Sequence, residues 1–134
     1  MSWTTRVACL FGAFTLLAGI GIDAAHAQSR QSPSWGAIAA VDDSFGYAYN
    51  HPTRREAELA ARAQCDRAAG RQGACTVRAY FDRYCGALAR GNFGEWASAV
   101  GASKDVAGKE AVQLCNSHLP TEPCKVIVSV CSPR

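Results

Sequence analysis

The residues most able to do chemistry in this sequence are its seven cysteines, and their spacing decides which chemistry is open to them. Cys9 stands alone in an apolar N-terminal run, while Cys65, Cys75, Cys85, Cys115, Cys124 and Cys131 follow one another at wide intervals. A structural zinc site draws on close cysteine pairs. None occurs here, and His51 and His118 are the only imidazoles beyond residue 27, so no metal is expected and no cofactor is implied. An even set of widely spaced cysteines in an exported chain reads as a disulfide framework. Bridged sulfur is not nucleophilic, so covalent catalysis would fall to a serine or threonine with His51 or His118 as base. No serine beyond the leader sits in a G-x-S-x-G frame. Among the carboxylates, Asp42 and Asp43 are adjacent but sit where a turn is expected, and they supply too few oxygens in series for a calcium loop. Asp82, Glu95 and Glu122 stand apart, without the pairing that glycoside hydrolysis requires. The expectation is a protein without catalytic residues.

The elements that must position these residues begin after a leader. Arg6 opens it, Val7 to Ile22 is apolar, and Ala25-His26-Ala27 has the small-x-small form of a cleavage site. The reading is a secretory signal peptide over 1–27, a short linker over 28–34 and a single domain over 35–131. The apolar run is too short to span a bilayer, which takes about 20 residues. The mature protein is therefore expected to be exported, periplasmic or extracellular, without membrane insertion after signal removal. Its net charge of +3 is a weak basic footprint, which argues against nucleic acid as a partner.

Shifting the chain by 50 residues lays Gly36-Ala37-Ile38-Ala39 on Gly86-Ala87-Leu88-Ala89 and Cys65 on Cys115, and a shift of 49 lays Cys75 on Cys124. The domain thus reads as two repeats, about 35–84 and 85–131, too few for a solenoid and so packed on one another. Each begins with an expected hairpin: Trp35 to Val41, a turn at Asp42-Asp43-Ser44 and Phe45 to Tyr49, with Gly91-Asn92 turning the second. Thr53-Arg54-Arg55-Glu56 has the form of a capping box, and Ser103 with Asp105 is its weaker counterpart. Ala57, Ala60, Ala61, Cys65 and Ala68 make a helical stripe that should face a sheet, while Arg54, Glu58, Arg62 and Asp66 form a solvated charged row. A closing strand alternates at Val77, Ala79 and Phe81, and at Val126, Val128 and Val130. The fold class is therefore α+β: two pseudo-symmetric β-β-α-β repeats, mainly antiparallel sheet with two helices, in one disulfide-braced domain.

Six cysteines allow 15 pairings, and the repeat favours one of them. Cys65 with Cys75 and Cys115 with Cys124 would each staple a helix to the following strand, leaving Cys85 with Cys131. On the closing strand of the first repeat, Arg78, Tyr80, Asp82 and Tyr84 should project opposite Val77, Ala79 and Phe81. They make a mixed aromatic and charged face of the kind enriched at protein interfaces. This is the candidate binding face. The leading expectation is a non-enzymatic secreted or periplasmic protein recognising another protein, as an inhibitor, immunity or interaction factor. The alternatives are a small cell-wall-directed hydrolase using His51 or His118, and a structural envelope component without a dedicated ligand.

Taken together, Trp35-Gly36-Ala37-Ile38-Ala39, Gly46-Tyr47-Ala48-Tyr49-Asn50, the alanine-rich run to Cys65, Cys75, Cys85-Gly86-Ala87-Leu88-Ala89, Trp96, Gly101-Ala102-Ser103, Cys115, Cys124 and Cys131 resemble the domain of unknown function 4189 family. The resemblance implies a small bacterial domain, usually behind a signal peptide. It brings no established enzymatic activity and no catalytic residues.

Overall fold

The computed structural model describes residues 31–133, so the expected signal peptide at 1–27 and the start of the linker lie outside the described residues. Two strands open the first repeat, β1 (Trp35–Val41) and β2 (Ser44–His51), followed by helix α1 (Arg54–Ala69) and strand β3 (Thr76–Asp82). The second repeat runs β4 (Cys85–Arg90), β5 (Trp96–Gly101), α2 (Lys104–Asn116) and β6 (Lys125–Cys131). This is the β-β-α-β order, twice. Each repeat forms its own antiparallel three-stranded sheet with its first strand in the middle, in the orders β2-β1-β3 and β5-β4-β6.

Each helix packs on the outer face of its own sheet and the two inner sheet faces meet, giving four layers. The helix-to-sheet layers are lined by very small side chains: Ala37, Ala39, Ala48, Ala57, Ala61, Cys65 and Cys75 in the first repeat. Such residues bring backbone close to backbone. At Gly46 the approach is so tight that a Cβ would lie 2.3 Å from both the Ala61 carbonyl oxygen and the Cys65 nitrogen. Within the expected stripe Ala57, Ala61 and Cys65 are buried, but Ala68 is exposed and Ala69 packs against the core instead. The helix starts are held as their sequences suggest. Thr53 Oγ1 accepts the Glu56 N–H and Ser103 Oγ accepts the Val106 N–H, both at 3.2 Å. At the other end of α1, Gly70 takes the left-handed conformation (φ 66) that closes the helix.

Ungapped as it looks, the 50-residue shift hides two compensating irregularities. In the first hairpin Val41 pairs with Ser44 across a two-residue turn, and Asp42 has φ 47. Further along, Trp35 pairs with His51 but Ala37 with Ala48, so Tyr49 and Asn50 together oppose Gly36, and Asn50 has φ 59. The second hairpin uses a longer loop between Arg90 and Trp96 and then pairs without a bulge down to Cys85 and Gly101. One extra residue sits in a bulge in one repeat and in a loop in the other.

A second bulge corrects the expected strand alternation. Ile38 pairs with Ala79 but Ala39 with Val77, and in the second repeat Leu88 pairs with Val128 but Ala89 with Val126. Arg78 and Ile127 are the inserted residues. An inserted residue shifts the side-chain phase by one, so Val77 and Val126 turn to the helix side while Ala79, Phe81, Val128 and Val130 keep the inner face.

The inner faces meet through Ile38, Ala40, Ala79, Phe81, Leu88, Val128 and Val130. Phe81 breaks the symmetry of this layer, because Val130 is its counterpart in the second repeat. Its ring lies between two repeat-equivalent glycines: a Cβ on Gly36 would lie 2.2 Å from Phe81 Cε2, and one on Gly86 would lie 2.4 Å from Cε1. A ring fits only because both positions lack a side chain.

All three bridges follow the pairing favoured by the repeat: Cys65 with Cys75, Cys115 with Cys124, and Cys85 with Cys131. Closed bridges of this kind suit a compartment outside the reducing cytoplasm. Beside each local bridge a side-chain oxygen repeats as well. Asp66 accepts the N–H groups of Gly73 and Cys75 at 2.8 and 2.9 Å, and Asn116 accepts that of Cys124 at 2.8 Å. The two ends of the domain are tied by a buried pair, Ser34 Oγ and Ser132 Oγ, 2.9 Å apart, with Ser132 Oγ also accepting the Asn50 N–H. Among the described residues no helix is long and apolar enough to cross a membrane.

Candidate binding surface

Tyr80 is the centre of the residues singled out on β3. It pairs with Ala37, whose side chain belongs to the helix-side core, so its ring emerges on the α1 side of the sheet near the start of that helix. Trp35 stands beside it with ring centroids 6.4 Å apart and planes tilted by 43°, and the Arg54 guanidinium lies over the ring at 3.3 Å from its centroid. Both arrangements are attractive for a π-system with a negative face and a positive edge. Arg54 is in turn held by Glu58, Nε to Oε1 2.6 Å, one helical turn on. That hydrogen bond raises the Arg54 pKa above its ordinary value, against a smaller opposing effect of desolvation. Tyr80 nonetheless keeps 44 % of its surface in solvent.

The other three members of the candidate face go to different places. Asp82 accepts the Ser34 N–H at 2.8 Å and meets Arg83 at 3.4 Å, so its carboxylate helps to anchor the chain entering β1. Tyr84 lies in the β3–β4 connection and is 51 % exposed. Arg78, the bulge residue, lines the same cleft as Tyr80 but sends its guanidinium elsewhere: it stacks over the Trp96 ring of the other sheet at 4.2 Å, and the Arg78 carbonyl accepts the Ser98 hydroxyl at 2.6 Å. There Arg78 also lines a polar cleft of about 350 Å³ between the two hairpin ends, beside an Arg90–Asp43 ion pair of 2.6 Å. Strand alternation alone could not signal this separation, since it assumes an unbroken ladder.

Trp35 and Arg54 are the residues that reading β3 by itself missed. They reach Tyr80 from a neighbouring strand and from the helix, and the signal for them was register. Trp35 pairs with both His51 and Asp82, which places those two side chains across two strand spacings, about 10 Å, with the indole between. His51 therefore does not meet that carboxylate. His118 lies past α2 in the second repeat, and among the described residues neither imidazole forms a hydrogen bond or ion pair. Among these residues, too, no group of three or more His, Cys, Asp or Glu is placed to hold a metal ion.

The Trp35–Tyr80–Arg54–Glu58 stack can offer an apolar ring edge, a cation and an exposed phenol from side chains already fixed by one another. No curated protein and no solved structure matches the chain. Residues 35–131 match the family described as Domain of unknown function (DUF4189).

Proposed function

The chain belongs to the DUF4189 family, and we propose that it is a non-enzymatic binding protein, exported to the periplasm or beyond, that recognises another protein. The observation that carries this reading is Tyr80, exposed yet clamped between Trp35 and Arg54. Tyrosine, tryptophan and arginine dominate the energetics of protein interfaces, and an aromatic that is already ordered loses little entropy on binding. Tyr84, exposed on the following connection, extends the surface. Three disulfides suit export, and the N-terminal signal pattern gives the route.

The test is capture from envelope extract by the oxidised mature protein. Replacing Tyr80 and Tyr84 with alanine should abolish capture while leaving circular dichroism and the unfolding midpoint close to wild type. Undiminished capture by that folded variant would refute the surface.

A further inference from the structure

The two repeats differ most on their outer flanks, where each helix runs beside its closing strand. In the first repeat that flank is narrowed to a cleft of about 370 Å³ by the chain's own side chains: Tyr80 lies under Arg54, with Glu58 and Arg62 beside it. Strand register and the matching helix caps assign each of these a counterpart. Tyr80 and Ser129 oppose the equivalent residues Ala37 and Ala87, and Val77 and Val126 oppose Ala39 and Ala89. Counting from the N-caps Thr53 and Ser103, Arg54 corresponds to Lys104, Glu58 to Gly108 and Arg62 to Val112. The second repeat has thus kept the cation and lost the ring, the carboxylate and the second arginine.

What replaces them is a wider groove of about 630 Å³ between α2 and β6, its wall formed by Val112 and Val126 and its charged rim by Lys104, Asp105 and Lys109. Ser129 lines it, its Oγ buried and without a hydrogen-bond partner among the described residues. We propose that this groove receives a tyrosine side chain of a partner polypeptide, flanked by acidic residues, in the place that Tyr80 fills in the first repeat. The ring packs on Val112 and Val126 under Lys104, as Tyr80 packs under Arg54. Its phenol end points toward Ser129, and the neighbouring acids face Lys104 and Lys109, whose two charges outnumber the single Asp105 on the same rim. A groove open along one side suits a residue carried on a chain, whereas small-molecule sites enclose most of their ligand. This site lies on the opposite repeat from the Tyr80 surface and stands or falls separately from it.

The test is ¹H–¹⁵N NMR titration of the oxidised mature protein with the tripeptide acetyl-Asp-Tyr-Asp amide. Shifts confined to the α2–β6 flank are expected, absent with the Asp-Ala-Asp peptide and retained in Tyr80→Ala. Ser129→Tyr, which supplies the ring from within, should abolish them, as should Val112→Arg, which restores the first repeat's residue and guards against a folding failure of the first variant. Lys104→Met should weaken binding about two- to fivefold, as expected for an exposed cation–π contact. Shifts elsewhere, equal shifts with the alanine peptide, or binding that survives both filling variants would overturn the proposal. So would p-cresol binding as tightly as the peptide, since the groove would then be a small-molecule site.

Discussion

Adding one methyl group at Gly86 should test how the two sheets are held together. The Cβ of Gly86→Ala would stand 2.4 Å from Phe81 Cε1 and 2.6 Å from Cδ1, over 1 Å inside ordinary contact distance. Phe81 is only 3 % exposed and belongs to the layer shared by both sheets, so its ring can yield only by displacing Ile38, Leu88 or Val130. Overpacking of this kind costs about 1–3 kcal/mol, which for a domain of this size lowers the unfolding midpoint by roughly 4–8 °C per kcal/mol. Against that stands a small gain, since alanine is favoured over glycine in a strand interior by about 0.5–1 kcal/mol. Placing the second repeat's residue at the wedge, Phe81→Val, removes the obstruction at a cost of its own. In that background Gly86→Ala should be neutral or stabilising. Thermal and urea unfolding of the four proteins, with disulfides intact, then gives a coupling energy of about 1–3 kcal/mol. Additive effects would refute the idea that the ring occupies the space between the repeat glycines.

Removing the Cys65–Cys75 bridge by Cys65→Ser with Cys75→Ser should cost about 3 kcal/mol, the chain-entropy value for so short a loop, measured as a lowered urea midpoint. Asp66 should make part of the stability pH-dependent. Its carboxylate is held below the ordinary 3.8 chiefly by the backbone N–H groups of Cys75 and Gly73. A depressed folded pKa contributes stability above the unfolded value, which is lost as pH falls through the folded one. Wild type should therefore lose more stability than Asp66→Asn on going from about pH 5 to pH 2. The asparagine keeps an acceptor of the kind that Asn116 supplies in the second repeat, and parallel pH profiles for the two proteins would contradict this role.

Much of the architecture was legible because it is written twice. A single helix-to-strand cysteine pair is ambiguous, but Cys65 and Cys75 repeated as Cys115 and Cys124 picked one pairing out of many. The first turn, both N-caps and the order of elements are local and carry their own residue signatures, whereas the second hairpin turns not at Gly91-Asn92 but through the longer loop 91–95, with Gly94 at positive φ. The bulges at Arg78 and Ile127 carry no such signature, because no glycine or other special residue marks them and the flanking valines continue a plausible alternation. Unbroken alternation therefore puts Arg78 on the face of Tyr80, whereas its guanidinium lies over Trp96. The surface around Tyr80 was half legible: the ring and its exposure follow from strand position, while Trp35 and Arg54 arrive through register and helix docking. The groove of the second repeat is a difference between repeats. Glu58 against Gly108 and Tyr80 against Ser129 could be read from the alignment, but only packing gives them meaning.

Peptide mapping of the oxidised protein without reduction tests the two-repeat construction most directly, since both candidate surfaces are defined by it. The account predicts three linked pairs: Cys65 with Cys75, Cys115 with Cys124, and Cys85 with Cys131. A Cys65–Cys115 bond would join the two helices instead of stapling each to its own sheet, and would contradict it.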